Sequence, residues 1–187
     1  SFKTDLEDNL TNSGTGKNYG AEITIEKFFS EGYYGLFTSS IYSSKYKGSD
    51  GIERNTAFNG KYVYNILGGK EFKVGKKGNM FSFNLKSSWV GGRYLTPIDI
   101  AATQAAGFTV FDEDHAFSER QNDYFRFDLK LSFRKELKKS TMEWALDLQN
   151  VTNHKNVFRN SYDARTGQLY TEYQQGFFPV PFFRWTF

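Results

Sequence analysis

Cysteine is absent from this 187-residue chain, and histidine occurs only twice, at His115 and His154. The first absence removes disulfide frameworks and thiolate metal sites. The second leaves little material for a nucleophile–base pair, and no Ser-His-Asp spacing stands out. No apolar run reaches the roughly 18 residues that a membrane helix requires, so a helical span is excluded. A basic stripe is also lacking: the formal net charge is +3, with Lys and Arg scattered among Asp and Glu. That pattern gives no reason to expect a nucleic-acid partner. The opening residues Ser1 to Asp5 are polar and charged and do not read as an export signal. An exported protein would therefore be met here as a mature form or a fragment.

What the chain does hold is aromatic. Phe (20), Tyr (12) and Trp (3) make up 19% of residues, yet the mean hydropathy is −0.61. Soluble cores lean on Leu, Ile and Val, which Phe and Tyr outnumber here. A sheet with a lipid face, aromatic girdles and a polar opposite face gives this mixture.

Residues 1–17 are rich in Asn, Ser, Thr and Gly and read as loop. Gly14-Thr15-Gly16-Lys17 has the look of the end of a phosphate-binding loop, but its first glycine and following Ser or Thr are missing. A period-two pattern then begins, which signals strands. Strands are expected at about 19–29, 33–45, 58–74, 80–90, 124–134 and 142–151, with a closing strand over 177–187. The clearest is 124–134, where Phe125, Phe127, Leu129, Leu131 and Phe133 alternate with Arg126, Asp128, Lys130, Ser132 and Arg134. The last strand has an aromatic face of Phe183, Trp185 and Phe187. A helix capped at Thr96-Pro97 and ended by Gly107 is expected inside the longest break. Asp112-Glu113-Asp114-His115 is the one cluster with a metal-ligand look, and its consecutive spacing favours a solvated acidic loop. No cofactor is expected.

The connections alternate. Short turns near 30–32, 75–79 and 138–140 take turns with long loops near 46–56, 91–122 and 153–176. An up-and-down sheet then carries all its short turns at one end and all its long loops at the other, as outer-membrane barrels do. A Greek-key sandwich has no reason to sort its loops so.

Arg126-Phe127-Asp128-Leu129-Lys130, Asn18-Tyr19-Gly20-Ala21-Glu22 and the run Trp144 to Asn153, holding Asp147-Leu148-Gln149-Asn150-Val151-Thr152-Asn153, carry a resemblance. With the aromatic C-terminus, they resemble the C-terminal barrel portion of a TonB-dependent outer-membrane receptor, of the kind abundant in Bacteroidetes. The resemblance implies an all-β, antiparallel, up-and-down transmembrane β-barrel of about 22 strands around a plug. About seven of those strands would be present and the plug absent. It further implies import of a bulky ligand (an iron chelate, vitamin, glycan or peptide), driven by energy from TonB.

Implied partners are outer-membrane lipid, the receptor's own plug and remaining strands, the TonB complex, and a surface lipoprotein. The loops 93–120 and 154–175 would form part of the ligand mouth, with Tyr94, Phe108, Phe111, Arg159, Tyr162 and Arg165 as candidate contacts. Phe183, Trp185 and Phe187 resemble the signal read by the barrel-assembly machinery. Glu22, Glu26, Lys86, Arg126, Asp128, Lys130, Glu143 and Asp147 would line the lumen. Two other readings stay open: a small independent barrel that binds or adheres, using Phe2 to Leu10 as an eighth strand, and a soluble β-sandwich module.

Overall fold

A computed structural model describes residues 13–187. The fold is all-β. Seven long strands form one antiparallel sheet: β1 (Thr15–Ser30), β2 (Tyr33–Lys47), β4 (Tyr62–Val74), β5 (Asn79–Val90), β8 (Tyr124–Glu136), β9 (Thr141–Gln149) and β12 (Phe178–Thr186). Each pairs with the next in that order, and the short β3 (Glu53–Asn55) adds to the end of β2. The sheet is open: among the described residues, the outer edges of β1 and β12 have no neighbouring strand. The Phe2 to Leu10 segment, weighed above as a further strand, lies outside the described residues.

Tight turns fit the strand twist. At the β1–β2 hairpin Glu31 and Gly32 take φ of 54° and 76°, the left-handed pair of a two-residue type I′ turn. The other short connections, 75–78 and 137–140, lie at the same end. Opposite them lie the long connections. The first, 48–61, holds β3. The second, 91–123, holds β6 (Tyr94–Leu95), α1 (Ile100–Ala106), a 3-10 turn at Glu113–His115 and β7 (Glu119–Arg120). The third, 150–177, holds the hairpin of β10 (Val157–Asp163) and β11 (Gln168–Tyr173). The expected alternation of short and long connections is present.

Three local expectations are corrected. β1 begins at Thr15, so Thr15, Gly16 and Lys17 are ladder residues, and Lys17 stands opposite Lys45 rather than in a phosphate loop. β4 begins at Tyr62 rather than 58, because the Asn59 amide diverts the chain: it accepts from Ser44 N at 2.9 Å and donates to Asn55 Oδ1 at 2.8 Å. The helix starts later too. Asp99, not Thr96, caps it through Ala102 N at 2.9 Å, while Gly107 ends it at φ 75°.

The register sorts the sheet into two faces. On one, Phe72, Phe81, Phe133, Trp144 and Phe183 stand directly across from one another over five consecutive strands. Their rings approach in sequence: Phe133–Trp144 at 6.2 Å and Trp144–Phe183 at 5.6 Å. Nearer the long loops, Tyr64, Trp89 and Phe125 form a second registered row, with Tyr62 stacked on Tyr64 at 5.3 Å. Ile25, Phe37, Ile66, Leu85, Leu129 and Leu148 fall on the same face between the rows, and Ile23 falls in line with the second row. The opposite face is polar and hydrogen-bonded across strands. Asn65 Nδ2 donates to Thr38 Oγ1 at 3.2 Å, and Ser88 Oγ donates to Asn65 Oδ1 at 2.8 Å. Arg126 Nε meets Asp128 at 2.7 Å and Nη2 reaches Gln149 at 3.1 Å.

Among the described residues, no second layer packs on either face. Ala145, at 8% exposure, is the one buried apolar residue among those described, and it sits on the polar face opposite Ser132 and Phe182. The chain exposes 13798 Å², about half again the roughly 9,200 Å² of a compact monomer of its mass. A soluble sandwich packs its apolar sheet face under a second layer; among the described residues this sheet has none.

Candidate functional site: the long-loop end

The second loop is built around Thr103. Its hydroxyl is fully buried, accepts from Val110 N at 2.9 Å and donates to Val110 O at 3.2 Å. Asp99 N to Val110 O and Asp112 N to Pro97 O, both 2.9 Å, close the loop around α1. Phe108 and Phe111 are left exposed at its rim, with Phe111 bridging to Ile98. In the acidic run Asp112 and His115 pair with each other, while Glu113 and Asp114 are exposed. Asp112 caps the 3-10 turn, and its Oδ2 lies 2.8 Å from His115 Nδ1. That His115 hydrogen bond outweighs burial and lowers the Asp112 carboxyl below its usual range.

The third loop projects the β10–β11 hairpin. Arg159 Nε donates to Glu172 at 2.9 Å, and Ser161 shares the same carboxylate at 3.0 Å. The Arg159 bond is the main reason that the Glu172 pKa falls and the Arg159 pKa rises. Arg165, at the exposed hairpin tip, folds back on Asp163 at 3.4 Å. Tyr162 lies elsewhere: with Ile100, Thr103, Gln168 and Leu169 it lines a cavity of about 300 Å³ between helix and hairpin.

Of the six residues expected at a ligand mouth, Tyr162 is thus brought against the second loop, and Phe108 and Phe111 stay solvent-facing. Arg159 and Arg165 are engaged by carboxylates of their own hairpin. Tyr94 stands apart in β6 opposite Arg120, against a groove beside β1 and β2. At the other end of the sheet, Phe183 and Trp185 lie on the apolar face. Phe187 is 95% exposed just past β12, its ring 6.0 Å from Trp185.

The residues that hold the loop bases were given no role by the sequence, although Asn150 and Asn153 stand in the run that carries the resemblance. Asn150, 2% exposed at φ 47°, donates to His154 O (3.0 Å) and Gln175 O (3.3 Å) and accepts from His154 N at 3.1 Å. Its own N–H goes to Asp128 Oδ1 at 2.8 Å. Asn153, also at positive φ, accepts from Phe177 N at 3.0 Å. Asn156 pairs both ways with the Phe125 backbone, at 2.9 and 2.8 Å. Asp123 gathers the Tyr62 hydroxyl, Gly92 N at 3.0 Å and Arg120 Nη2 at 2.8 Å. Burial alone would raise its carboxyl, but these donors outweigh it and hold the pKa below the ordinary value. Asn150 and Asn153 belong to the 147–153 run that carries the resemblance, and both staple the base of the third loop.

No protein-family model, curated protein or solved structure matches the chain.

Proposed function

We propose that the chain is the closing part of a TonB-dependent outer-membrane receptor barrel, whose whole imports a bulky ligand. The observation that carries this reading is the uncovered apolar face with its registered aromatic rows. Eight residues separate Phe81 and Trp89 on β5, about 27 Å along a strand. At the usual tilt of about 40° that is close to 20 Å of membrane depth, near the apolar band of outer-membrane barrels. Lysines bound the band on β1. Lys17 stands over the Tyr19 ring at 5.5 Å, and Lys27 at the other end over Tyr33 at 4.0 Å, as stems that run along apolar surface to a wet interface do.

In this reading hydrocarbon covers the apolar face and the lumen or plug faces the Asn65–Ser88–Arg126 side. The short turns point to the periplasm, and the long loops carry Tyr94, Phe108, Phe111 and Tyr162 to the ligand side. The free edges of β1 and β12 take up the receptor's other strands, and Phe183, Trp185 and Phe187 serve assembly. Fractionation of cells making the whole protein tests it. We expect recovery with outer membranes that survives alkaline washing, and a lower yield after deletion of Phe187. Recovery in the soluble fraction without detergent would sink the proposal.

A further inference from the structure

Lys17 and Lys45 face each other directly across β1 and β2. Like charges opposite one another destabilise a ladder, so their pairing calls for an anion. Glu53 meets Lys45 at 2.7 Å, but one carboxylate serves Lys17, Lys45 and Lys47, three ammonium groups whose charges all act on it. Among the described residues, two positive charges remain without a carboxylate of their own at this corner.

The corner also has a shape. A groove of about 740 Å³ opens on the apolar face beside β1 and β2, at the end that carries the long loops. Its lower wall is Ala21 and Ile41, continuous with the apolar band. Tyr19 and Tyr94 flank it, and Lys45 and Lys61 stand at its loop side. Lys61 is held there by an unusual backbone, φ 73°, at the point where the Asn59 diversion delivers the chain into β4. The groove therefore grades from hydrocarbon to aromatic to cation along one line, the profile of an anionic amphiphile.

From this we infer that the groove seats the phosphate-bearing headgroup of a membrane lipid, with its acyl chains along Ala21 and Ile41. The inference rests on the reading that the apolar face lies in a bilayer. Lys45 and Lys61 bind the phosphate, Tyr19 and Tyr94 pack against the headgroup's carbon skeleton, and Glu53 holds the Lys45 ammonium in place.

The test folds the whole receptor that contains this chain into vesicles of phosphatidylcholine alone, or of phosphatidylcholine with phosphatidylglycerol, and counts lipids retained after transfer to detergent by native mass spectrometry. We expect preferential retention of phosphatidylglycerol. Lys61→Gln should cut it roughly fivefold, the weight of one lysine at an anionic surface. Lys45→Gln should act in the same direction, while Lys76→Gln with Lys77→Gln, in the short turn at the far end, should change nothing. Because Lys61 makes no ion pair among the described residues, its variant keeps the test clear of any loss of folding caused by stranding Glu53. Equal retention of the two lipids, or retention unmoved by Lys61→Gln, overturns the inference while leaving the membrane reading intact. Full displacement of the lipid by inorganic phosphate also overturns it, by making the site one for a free anion. A protein that enters neither kind of vesicle overturns both readings.

Discussion

The Tyr34 hydroxyl donates to Asn84 Oδ1 at 2.8 Å across the bare backbone of Gly69. The three residues share one row of the polar face, Tyr34 opposite Gly69 and Gly69 opposite Asn84. A Cβ on Gly69 would lie 2.3 Å from Asn84 Oδ1 and 2.6 Å from the Tyr34 ring. The glycine is therefore the floor on which the tyrosine lies, and the ring covers backbone that a glycine leaves bare in a strand.

Gly69→Ala should destabilise the folded sheet by about 1–3 kcal/mol, the usual effect of overpacking. Tyr34→Phe, which keeps the ring and loses the hydrogen bond, should cost about 1 kcal/mol. In a Tyr34→Ala background the Gly69→Ala penalty should largely disappear, because the ring is gone and the Asn84 amide, no longer held by the Tyr34 hydroxyl, can turn aside. Urea unfolding from lipid vesicles reads all three. Additive costs in the double variant would show that the contact does not exist.

The two faces should respond differently to charge. Leu129→Lys, in the middle of the apolar face, should cost about 2–4 kcal/mol if that face meets hydrocarbon. Ser132→Lys, three residues on along β8 and on the polar face beside Ala145, should stay within about 0.5 kcal/mol. A charge at Trp144, near the short turns, should be milder than at Leu129. Equal costs on both faces in a vesicle-folding assay would contradict a lipid boundary.

Asn150 shows what could be read from the chain and what could not. The β8 strand was plain because a partner strand lies along all of it, β5 from Tyr124 to Arg134 and β9 from Leu129 to Glu136, so every second residue meets the same environment. Its partners' registers then follow from turn geometry and the apolar pattern. The start of β1 at Thr15 was not legible, since its first turn of ladder lies beyond the apolar band and carries Gly and Lys instead of alternation. Asn59, Asn150 and Asn156 were not legible for another reason. An asparagine whose amide replaces backbone hydrogen bonds looks, in sequence, like any other loop asparagine. The positive φ at Asn150 and Asn153 could have hinted at it, because asparagine tolerates that region better than most residues.

Asn150→Ala removes two donated and one accepted hydrogen bond to backbone from a site that is 2% exposed, and it leaves a Cβ residue without amide support at φ 47°. Stranded buried backbone groups cost about 1–3 kcal/mol. The effect should be local: faster protease cleavage within 151–177, with the rest of the sheet protected. Asn150→Asp, which keeps the acceptor and loses the donor, should fall between the two. Cleavage unchanged from wild type in Asn150→Ala would mean the hairpin is held by other contacts.

Acid should loosen the second loop through Asp123. Its carboxyl is burdened by burial but favoured more strongly by the Tyr62 hydroxyl, Gly92 N–H and Arg120, and its pKa is lowered on folding. A carboxylate with a depressed folded pKa stabilises the fold fully above its unfolded value, about 3.9. That support fades as pH falls through the folded value. The base of the 91–123 loop should therefore hold at neutral pH and begin to yield to an acid-active protease below about pH 4. The same loss should appear at every pH in Asp123→Asn, which cannot carry the charge that Arg120 faces at 2.8 Å. Cleavage in Asp123→Asn should then be flat with pH across the acid range. A variant that still loosened on acidification would place the sensitive group elsewhere, and Asp112 with its His115 partner is the next one to replace.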